Sequence, residues 1–187
     1  DRLEASLAAA GALRPGSVAV ENAPPRIFVR YSPAILVPIG GAPVWRIVPG
    51  TNFSRVVDTR ALILRAASGG SPYLHVYDGW LTAGALTGPW VLAASPPVGI
   101  DLVASGLGHQ GMVDLLDGRG AQPPPSLANG VPEIIVSTHE AELVVFRGQP
   151  DLQPIGQTSL LWAPNTRSDV IVDSANSHTY VLLAGRW

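Results

Sequence analysis

An internal repeat limits the folds that this chain can adopt more than any other feature of its sequence. Residues 25–80 align with residues 132–187 at a constant offset of 107 and without a gap, and 13 of the 56 aligned positions are identical. The identical pairs include Gly41 with Gly148, Thr59-Arg60 with Thr166-Arg167, Tyr73 with Tyr180, and Trp80 with Trp187. Duplication explains this pattern better than chance does, so we predict two copies of one structural unit.

Both copies have the pattern of short antiparallel strands. Their apolar runs are short, rich in β-branched and aromatic residues, and bounded by Gly, Pro, Asn or Ser, which is typical of strands between turns. These runs occupy residues 27–29, 35–37, 62–64 and 74–77, and recur at residues 134–136, 143–146, 170–172 and 180–183. The first copy continues into a further strand at residues 90–93, after the turn at Gly88-Pro89. We therefore predict a mainly β chain of two homologous small antiparallel units.

Three other segments frame the two copies. Residues 2–13 are rich in Ala and Leu, with Leu3, Leu7 and Ala10 on one face, and predict a short helix. Residues 96–118 predict a second helix, whose apolar set is Leu102, Leu107, Met112 and Leu115-Leu116. The Pro-rich residues 121–132 predict a stiff extended connector.

These segments predict four parts of the chain. They are an N-terminal helix and linker (1–24), a first β-unit (25–95), a helical and Pro-rich connector (96–131), and a second β-unit (132–187). Because the chain begins at Asp1 without Met and stops at Trp187, we expect a piece of a longer protein with a truncated second unit.

The composition excludes several classes of function. The net charge of −2 offers no attraction to nucleic acid, which requires clustered cationic side chains. The absence of cysteine excludes disulfides, thiolate metal sites and thiol nucleophiles. No apolar run reaches the ~20 residues that a membrane-spanning helix needs. Only 14% of the residues are charged, so we expect the two halves to pack on each other or to present a surface that something else covers.

The sequence predicts no catalytic, metal or cofactor site. Four His are present, but no pair has the spacing of metal ligands. The Gly-rich pieces lie between predicted strands rather than between a strand and a helix, so they are not phosphate-binding loops. The carboxylates carry no motif that selects an acid–base pair. We therefore predict that the chain is not an enzyme.

Several strings in the chain resemble one family of bacterial proteins. They are SPAILVPIGGAPV, DGWLTAGALTGPW, STHEAELVVFRGQP, TSLLWAPNT and YVLLAGRW. The family consists of long envelope-type repeat proteins described as carbohydrate-binding, family V/XII-like. The second copy matches the family pattern more closely than the first, in which Asp58 replaces the Asn of an N-T pair. The resemblance implies polysaccharide as a ligand and a periplasmic or cell-surface location within a larger protein.

Sugar binding requires aromatic faces beside polar groups, and five residues are candidates. They are Trp45, Trp162, Tyr77, Arg60 and Arg167. The two tryptophans have no aromatic equivalent in the other copy, so a shared core position does not account for them and they are better candidates for a binding surface. Alternatively, the Thr-Arg pairs serve turns through their Thr side chains. The matched residues Tyr73, Tyr180, Trp80 and Trp187 are instead predicted to fill equivalent core positions.

These features predict a non-catalytic binding or structural module of a larger bacterial envelope protein, with polysaccharide as the ligand. The alternative is a protein–protein scaffold or self-associating assembly subunit, which the low surface charge favours. A glycoside hydrolase is the third alternative.

Overall fold

The computed structural model describes residues 24–183, and this part of the chain is mainly β. The predicted helix at residues 2–13 and the predicted core residue Trp187 lie outside the described residues. In chain order the strands are β1 (Arg26–Arg30), β2 (Ala34–Pro38), β3 (Trp45–Ile47), β4 (Phe53–Val56), β5 (Ile63–Ala66), β6 (Tyr73–Val76), β7 (Gly79–Thr82), β8 (Val91–Leu92), β9 (Glu133–Ser137), β10 (Ala141–Val145), β11 (Gln153–Pro154), β12 (Leu160–Trp162), β13 (Val170–Asp173) and β14 (His178–Val181). Helix α1 (Ile100–His109) and a 3-10 turn (Leu127–Asn129) lie between β8 and β9.

Each unit contains an antiparallel sheet whose strands follow one another in chain order. Strands β3 to β8 form a six-stranded sheet in the first unit, and β11 to β14 form a four-stranded sheet in the second. The registers of the two sheets agree at the offset of 107, because Arg55 pairs with Leu64 just as Trp162 pairs with Ile171. The predicted antiparallel units are therefore present.

Two parallel strand pairs join the units, and the sequence pattern did not predict them. Strand β1 of the first unit pairs with β10 of the second, with Arg26 opposite Ala141. Strand β2 of the first unit pairs with β9 of the second, with Ala34 opposite Glu133. Since β1 and β9 are equivalent at the offset of 107, as are β2 and β10, the two pairs are related by a pseudo-two-fold axis. Each unit thus completes its strand pairing with a strand of the other.

A bidentate ion pair also links the exchanged strands. The Arg30 guanidinium on β1 donates to both carboxylate oxygens of Glu133 on β9, at 2.6 and 2.9 Å. The hydrogen bonds from Arg30 hold the pKa of Glu133 below its usual value. Both side chains are partly exposed, so the ion pair positions β1 relative to β9 but adds little to the free energy of unfolding.

Equivalent residues form the inner cores of the two units. In the first unit the inner core includes Val37, Ile39, Val56, Ile63 and Leu74. In the second unit the equivalent positions hold Val144, Phe146, Ala163, Val170 and Val181, which cluster in the same way. Because Ile134 and Val136 on β9 also pack against the first inner core, the units share apolar contacts as well as strands.

Helix α1 covers the opposite face of the first unit's sheet. Its buried residues are Ile100, Val103, Ala104 and Leu107, which pack on a cluster that includes Val48, Phe53, Leu64 and Trp80. The Trp80 indole N–H donates to the Asp101 carboxylate at 2.7 Å and so ties the sheet to the helix. A helix was predicted in this segment, but the predicted apolar set is wrong for Leu102 and Met112, which are 79% and 52% exposed. The helix ends at His109, before Met112. Within the described residues, no helix is long and apolar enough to cross a membrane.

We expect Ile135→Ala to destabilise the whole protein by about 2–5 kcal/mol, because it leaves a cavity beside the exchanged strand β9. Ile135 is 8% exposed and pairs with Leu36 of the first unit. Denaturant unfolding followed by tryptophan fluorescence and by far-UV circular dichroism should show one shared, shifted transition. Val98→Ala, at a fully exposed position, is the control. Two separate transitions would show that the strand exchange does not couple the units.

Candidate functional site at the junction of the two units

A cleft of about 590 Å³ lies where the first unit meets the second, and is called here the junction cleft. Its walls come from the β1–β2 connection, the β6–β7 turn, the end of β10 and the turn before β13. The side chains that line it include Tyr31, Tyr77, Phe146, Arg147, Asn165 and Arg167. Both units are therefore needed to form this site.

Two neighbouring aromatic rings, tilted by 35° to each other, form one wall of the junction cleft. The Tyr31 and Phe146 ring centroids are 5.9 Å apart. Tyr31 is 49% exposed, whereas Phe146 belongs to the inner core of the second unit and is 5% exposed. The Phe146 N–H donates to the Arg30 carbonyl at 2.8 Å and fixes the backbone beside Tyr31. Tyr31 is thus an exposed aromatic face held on a buried support, which is a suitable platform for stacking.

Tyr77 occupies the tip of the hairpin between β6 and β7. Its φ of 55° lies in the left-handed region, which is unusual for a bulky residue and indicates that its surroundings hold it there. The Tyr77 N–H donates to the Leu116 carbonyl at 3.0 Å. The neighbouring Asp78 carboxylate accepts from the Ser126 hydroxyl at 2.6 Å and from the Leu127 N–H at 2.9 Å. The connector therefore positions Tyr77 against the junction cleft.

The Tyr77 hydroxyl makes no hydrogen bond to any residue between positions 24 and 183, and the ring is half-buried. Burial raises the pKa of Tyr77, because the low-dielectric surroundings disfavour the phenolate. The side chain is consequently a neutral donor throughout the physiological pH range.

Two arginines give the junction cleft a positive charge. Arg147 and Arg167 both line it and are exposed, and no Asp or Glu lines it. Neither arginine forms an ion pair with another residue of the described chain. In a chain with a net charge of −2, this local excess of cationic side chains favours an anionic ligand.

Asn165 holds the backbone on which both arginines lie. Its side-chain carbonyl accepts from the Asp151 N–H at 3.0 Å, and its amide donates to the carbonyls of Arg147 and Gln149 at 3.3 and 2.7 Å. In the first unit the equivalent Asp58 accepts from the Val44 N–H at 2.8 Å. The turn is therefore common to both units, but the additional donors occur in the second unit.

A second cleft of about 500 Å³ adjoins the junction cleft and shares Tyr77 with it. Arg60 lines this second cleft, together with Asp114, Asp117 and Arg119. Arg119 donates to Asp117 at 2.8 Å, so that part of this wall is internally neutralised. Arg60, Tyr77 and Arg167, three of the predicted site residues, thus lie along two adjoining clefts.

The two predicted tryptophans lie elsewhere. Trp45 is half-buried on β3, and the Arg65 guanidinium carbon lies 4.1 Å from the centre of its ring. Trp162 lies on β12 of the second unit and is 46% exposed, but it does not line either cleft described above. Neither tryptophan adds an aromatic face to the junction cleft.

The threonines of both Thr-Arg pairs bond within their own turns. The Thr59 hydroxyl accepts from the Ala61 N–H at 3.2 Å, and the equivalent Thr166 hydroxyl accepts from the Ser168 N–H at 3.3 Å. The predicted core position is wrong for Tyr180, which is 38% exposed, whereas Trp80 is 4% exposed and buried as expected. The difference arises because α1 covers this face in the first unit alone, within the described residues.

Sequence reasoning missed Tyr31 and Arg147 as site residues. Both lack a counterpart in the other copy, since Tyr31 aligns with Thr138 and Arg147 with Gly40. The lack of a counterpart also selected the two tryptophans, but it does not show which of the unmatched residues the fold brings together. Between residues 24 and 183, no three His, Asp or Glu side chains are grouped as metal ligands would be.

No family model, curated protein or solved structure matches the chain.

We expect Asn165→Ala to lower the free energy of unfolding by about 1–3 kcal/mol, because it removes three hydrogen bonds. Asn165→Asp should cost less, since it retains the acceptor that Asp58 supplies in the first unit. Denaturant unfolding of the two variants provides the comparison. Equal losses in both variants would contradict the importance of the Asp151 contact.

We expect the contribution of Asp78 to stability to disappear in acid. The donated hydrogen bonds, first from Ser126 and then from Leu127, hold the pKa of Asp78 below its usual value. The carboxylate therefore stabilises the folded state above its unfolded pKa of about 3.9, and this stabilisation is lost as the pH falls through the lower folded pKa. Asp78→Asn should be less stable than the parent at pH 7, and the difference should shrink below about pH 4. A difference in stability that stays constant from pH 7 to about pH 3 would contradict this role of the Asp78 carboxylate.

Proposed function

We propose that this chain is a non-catalytic module of a larger bacterial envelope protein and that its junction cleft binds an acidic polysaccharide. The observation that carries the proposal is the exposed Tyr31 ring beside Arg147 and Arg167, with no carboxylate in the cleft wall. A stacking face and cationic donors are the two features that recognition of a negatively charged sugar requires.

Each part of the sugar is assigned to a different side chain of the cleft. A pyranose ring presents an apolar face that suits the supported ring of Tyr31. An arginine guanidinium matches the geometry of a carboxylate and donates two parallel hydrogen bonds to it. The Tyr77 hydroxyl supplies a neutral donor to a sugar hydroxyl. Uronic acid residues carry all three of the corresponding groups.

The adjoining clefts favour a polymer over a single sugar. Tyr77 lines both the junction cleft and the second cleft, so a ligand that passes this ring contacts Arg167 on one side and Arg60 on the other. Because Arg167 and Arg60 are equivalent at the offset of 107, similar groups of a repeating polymer meet similar side chains. This arrangement also supports an origin of the two units by duplication.

The alternative function is that of a protein scaffold or assembly subunit. It is favoured by the exposed apolar side chains of the second unit, where Ile155, Trp162 and Tyr180 are 36%, 46% and 38% exposed. Such a group of residues is typical of a surface that packs against another segment of protein. This group adjoins the junction cleft, since Thr166 and Ser168 line both concavities. Ile155, Trp162 and Tyr180 do not line the cleft itself, so the alternative requires a separate test.

Titration with polygalacturonate, a polymer of uronic acid, tests the ligand. We expect saturable binding by calorimetry and a loss of about 10–100-fold in affinity for Arg167→Ala, because a charge-assisted hydrogen bond contributes about 1.5–3 kcal/mol. Tyr31→Ala should also weaken binding, and added salt should weaken it in the parent protein.

Two controls make the result interpretable. Arg46→Ala removes an exposed arginine of β3 that lines neither cleft, and should leave the affinity unchanged. Dextran, a neutral glucan, should bind at least tenfold more weakly than polygalacturonate. Equal binding of both polymers, or full affinity in Arg167→Ala, would refute the proposed ligand.

A further inference from the structure

A concavity of about 450 Å³ lies on the sheet of the second unit and is called here the Trp162 concavity. Its apolar lining includes Trp162 on β12, Ile171 on β13 and Ile155 between β11 and β12. Trp162 lies opposite Ile171 in the sheet, and the Ile155 N–H donates to the Leu160 carbonyl at 2.9 Å. Because Trp162 is 46% exposed, its indole ring presents an aromatic surface on a hydrogen-bonded backbone.

Polar side chains complete the lining of the Trp162 concavity. They are Thr166, Ser168 and the exposed Asp169. The Thr166 hydroxyl accepts from the Ser168 N–H at 3.3 Å and so holds the turn that leads to Asp169. Between positions 24 and 183, the Asp169 carboxylate and the Ser168 hydroxyl make no hydrogen bond. An aromatic face beside hydroxyl and carboxylate groups is the combination that a sugar ring contacts.

Comparison with the first unit shows that this composition belongs to the second unit alone. At the offset of 107, Asp169 aligns with Leu62 and Trp162 aligns with Arg55. Leu62 is 0% exposed and belongs to the cluster on which α1 packs. Since an unpaired carboxylate is costly to bury, a covering helix like α1 does not suit the position of Asp169. The second unit therefore has a polar position where the first unit has an apolar contact.

The Trp162 concavity is continuous with the junction cleft. Thr166 and Ser168 line both of them, and Arg167, which lies between these two residues in the chain, lines the junction cleft. A polymer that contacts Arg167 in the junction cleft therefore reaches Trp162 by crossing a single turn of the backbone.

The two sites carry charges of opposite sign. Arg147 and Arg167 line the junction cleft without a carboxylate, whereas Asp169 is, among the described residues, the one charged side chain that lines the Trp162 concavity. A carboxylate repels a second uronic acid, but it accepts hydrogen bonds from the hydroxyls of a neutral sugar. The Trp162 concavity therefore favours a neutral sugar beside an acidic one.

We propose that the Trp162 concavity binds a neutral sugar unit of the same polysaccharide whose uronic acid unit occupies the junction cleft, an inference that rests on the proposed function. Trp162 stacks on the neutral ring, and Asp169 accepts from its hydroxyls. The ligand is then an acidic heteropolysaccharide in which uronic acids have neutral neighbours, and not a polymer of uronic acid alone.

Hyaluronan, in which a uronic acid alternates with a neutral N-acetylhexosamine, tests this composition against polygalacturonate. With chains of equal length, we expect calorimetry to show about fivefold tighter binding of hyaluronan, which is the size of effect that one aromatic contact supplies. Trp162→Ala should remove this advantage and leave the affinity for polygalacturonate unchanged. Asp169→Asn should tighten the binding of polygalacturonate, because the substitution removes a like charge.

Tyr180→Ala is the matched control. Tyr180 is 38% exposed on the same sheet but does not line the Trp162 concavity, so its removal should leave the affinity for both polymers unchanged. An equal loss of hyaluronan affinity in Tyr180→Ala and Trp162→Ala would overturn the assignment of the neutral sugar to the concavity.

The remaining outcomes separate this inference from the function proposed for the junction cleft. Equal affinity of the parent protein for both polymers, or a hyaluronan advantage that persists in Trp162→Ala, would overturn the neutral subsite and leave the acidic one standing. Hyaluronan binding that Trp162→Ala weakens and Arg167→Ala does not would support the neutral subsite and refute the acidic one. A dimer that light scattering detects in the parent protein but not in Trp162→Ala would overturn the inference, because a second copy of the chain would then cover the concavity.

Discussion

The parallel pairing of β1 with β10 and of β2 with β9 is the constraint on which the rest of the structure depends. The exchanged pairs form two separate two-stranded sheets, and in each of them the backbone donors and acceptors of one unit bond to those of the other. The exchange also brings Ile134 and Val136 of the second unit against the inner core of the first. The two units are therefore joined by backbone hydrogen bonds and by apolar contacts.

Much of the architecture could be predicted because the relevant signals are local. Strand positions follow from short apolar runs between turn residues, and the gapless alignment requires equal spacing between strands in both units. The predicted strands overlap the observed ones, and a helix lies within residues 96–118 as expected. The exchanged pairs could not be predicted, since an apolar run such as Ile134–Val136 satisfies a strand of its own unit as well as one of the other.

The candidate site was harder to predict because it is assembled from distant parts of the chain. Tyr77 and Arg167 were identified by residue type alone, and they share a cleft because the hairpin tip of one unit reaches the turn of the other. Tyr31 becomes a platform only when Phe146, 115 positions later, supports its ring. Residue type indicates which chemistry is available, whereas the strand exchange determines which groups act together.

The pseudo-two-fold axis relates the junction cleft to an equivalent location on the other side of the axis, and the two locations differ in their side chains. A symmetric molecule would carry two such clefts, but the positions equivalent to Tyr31 and Arg147 hold Thr138 and Gly40. The strand registers of the two units agree although these side chains differ. The symmetry therefore constrains the pairing of the strands, whereas the side chains at the junction differ between the units. Since Thr138 offers no aromatic face and Gly40 no charge, the equivalent location lacks both the platform and one of the two cations. On the proposed function, one polymer would therefore bind per chain, aligned from the cleft of Arg167 towards that of Arg60.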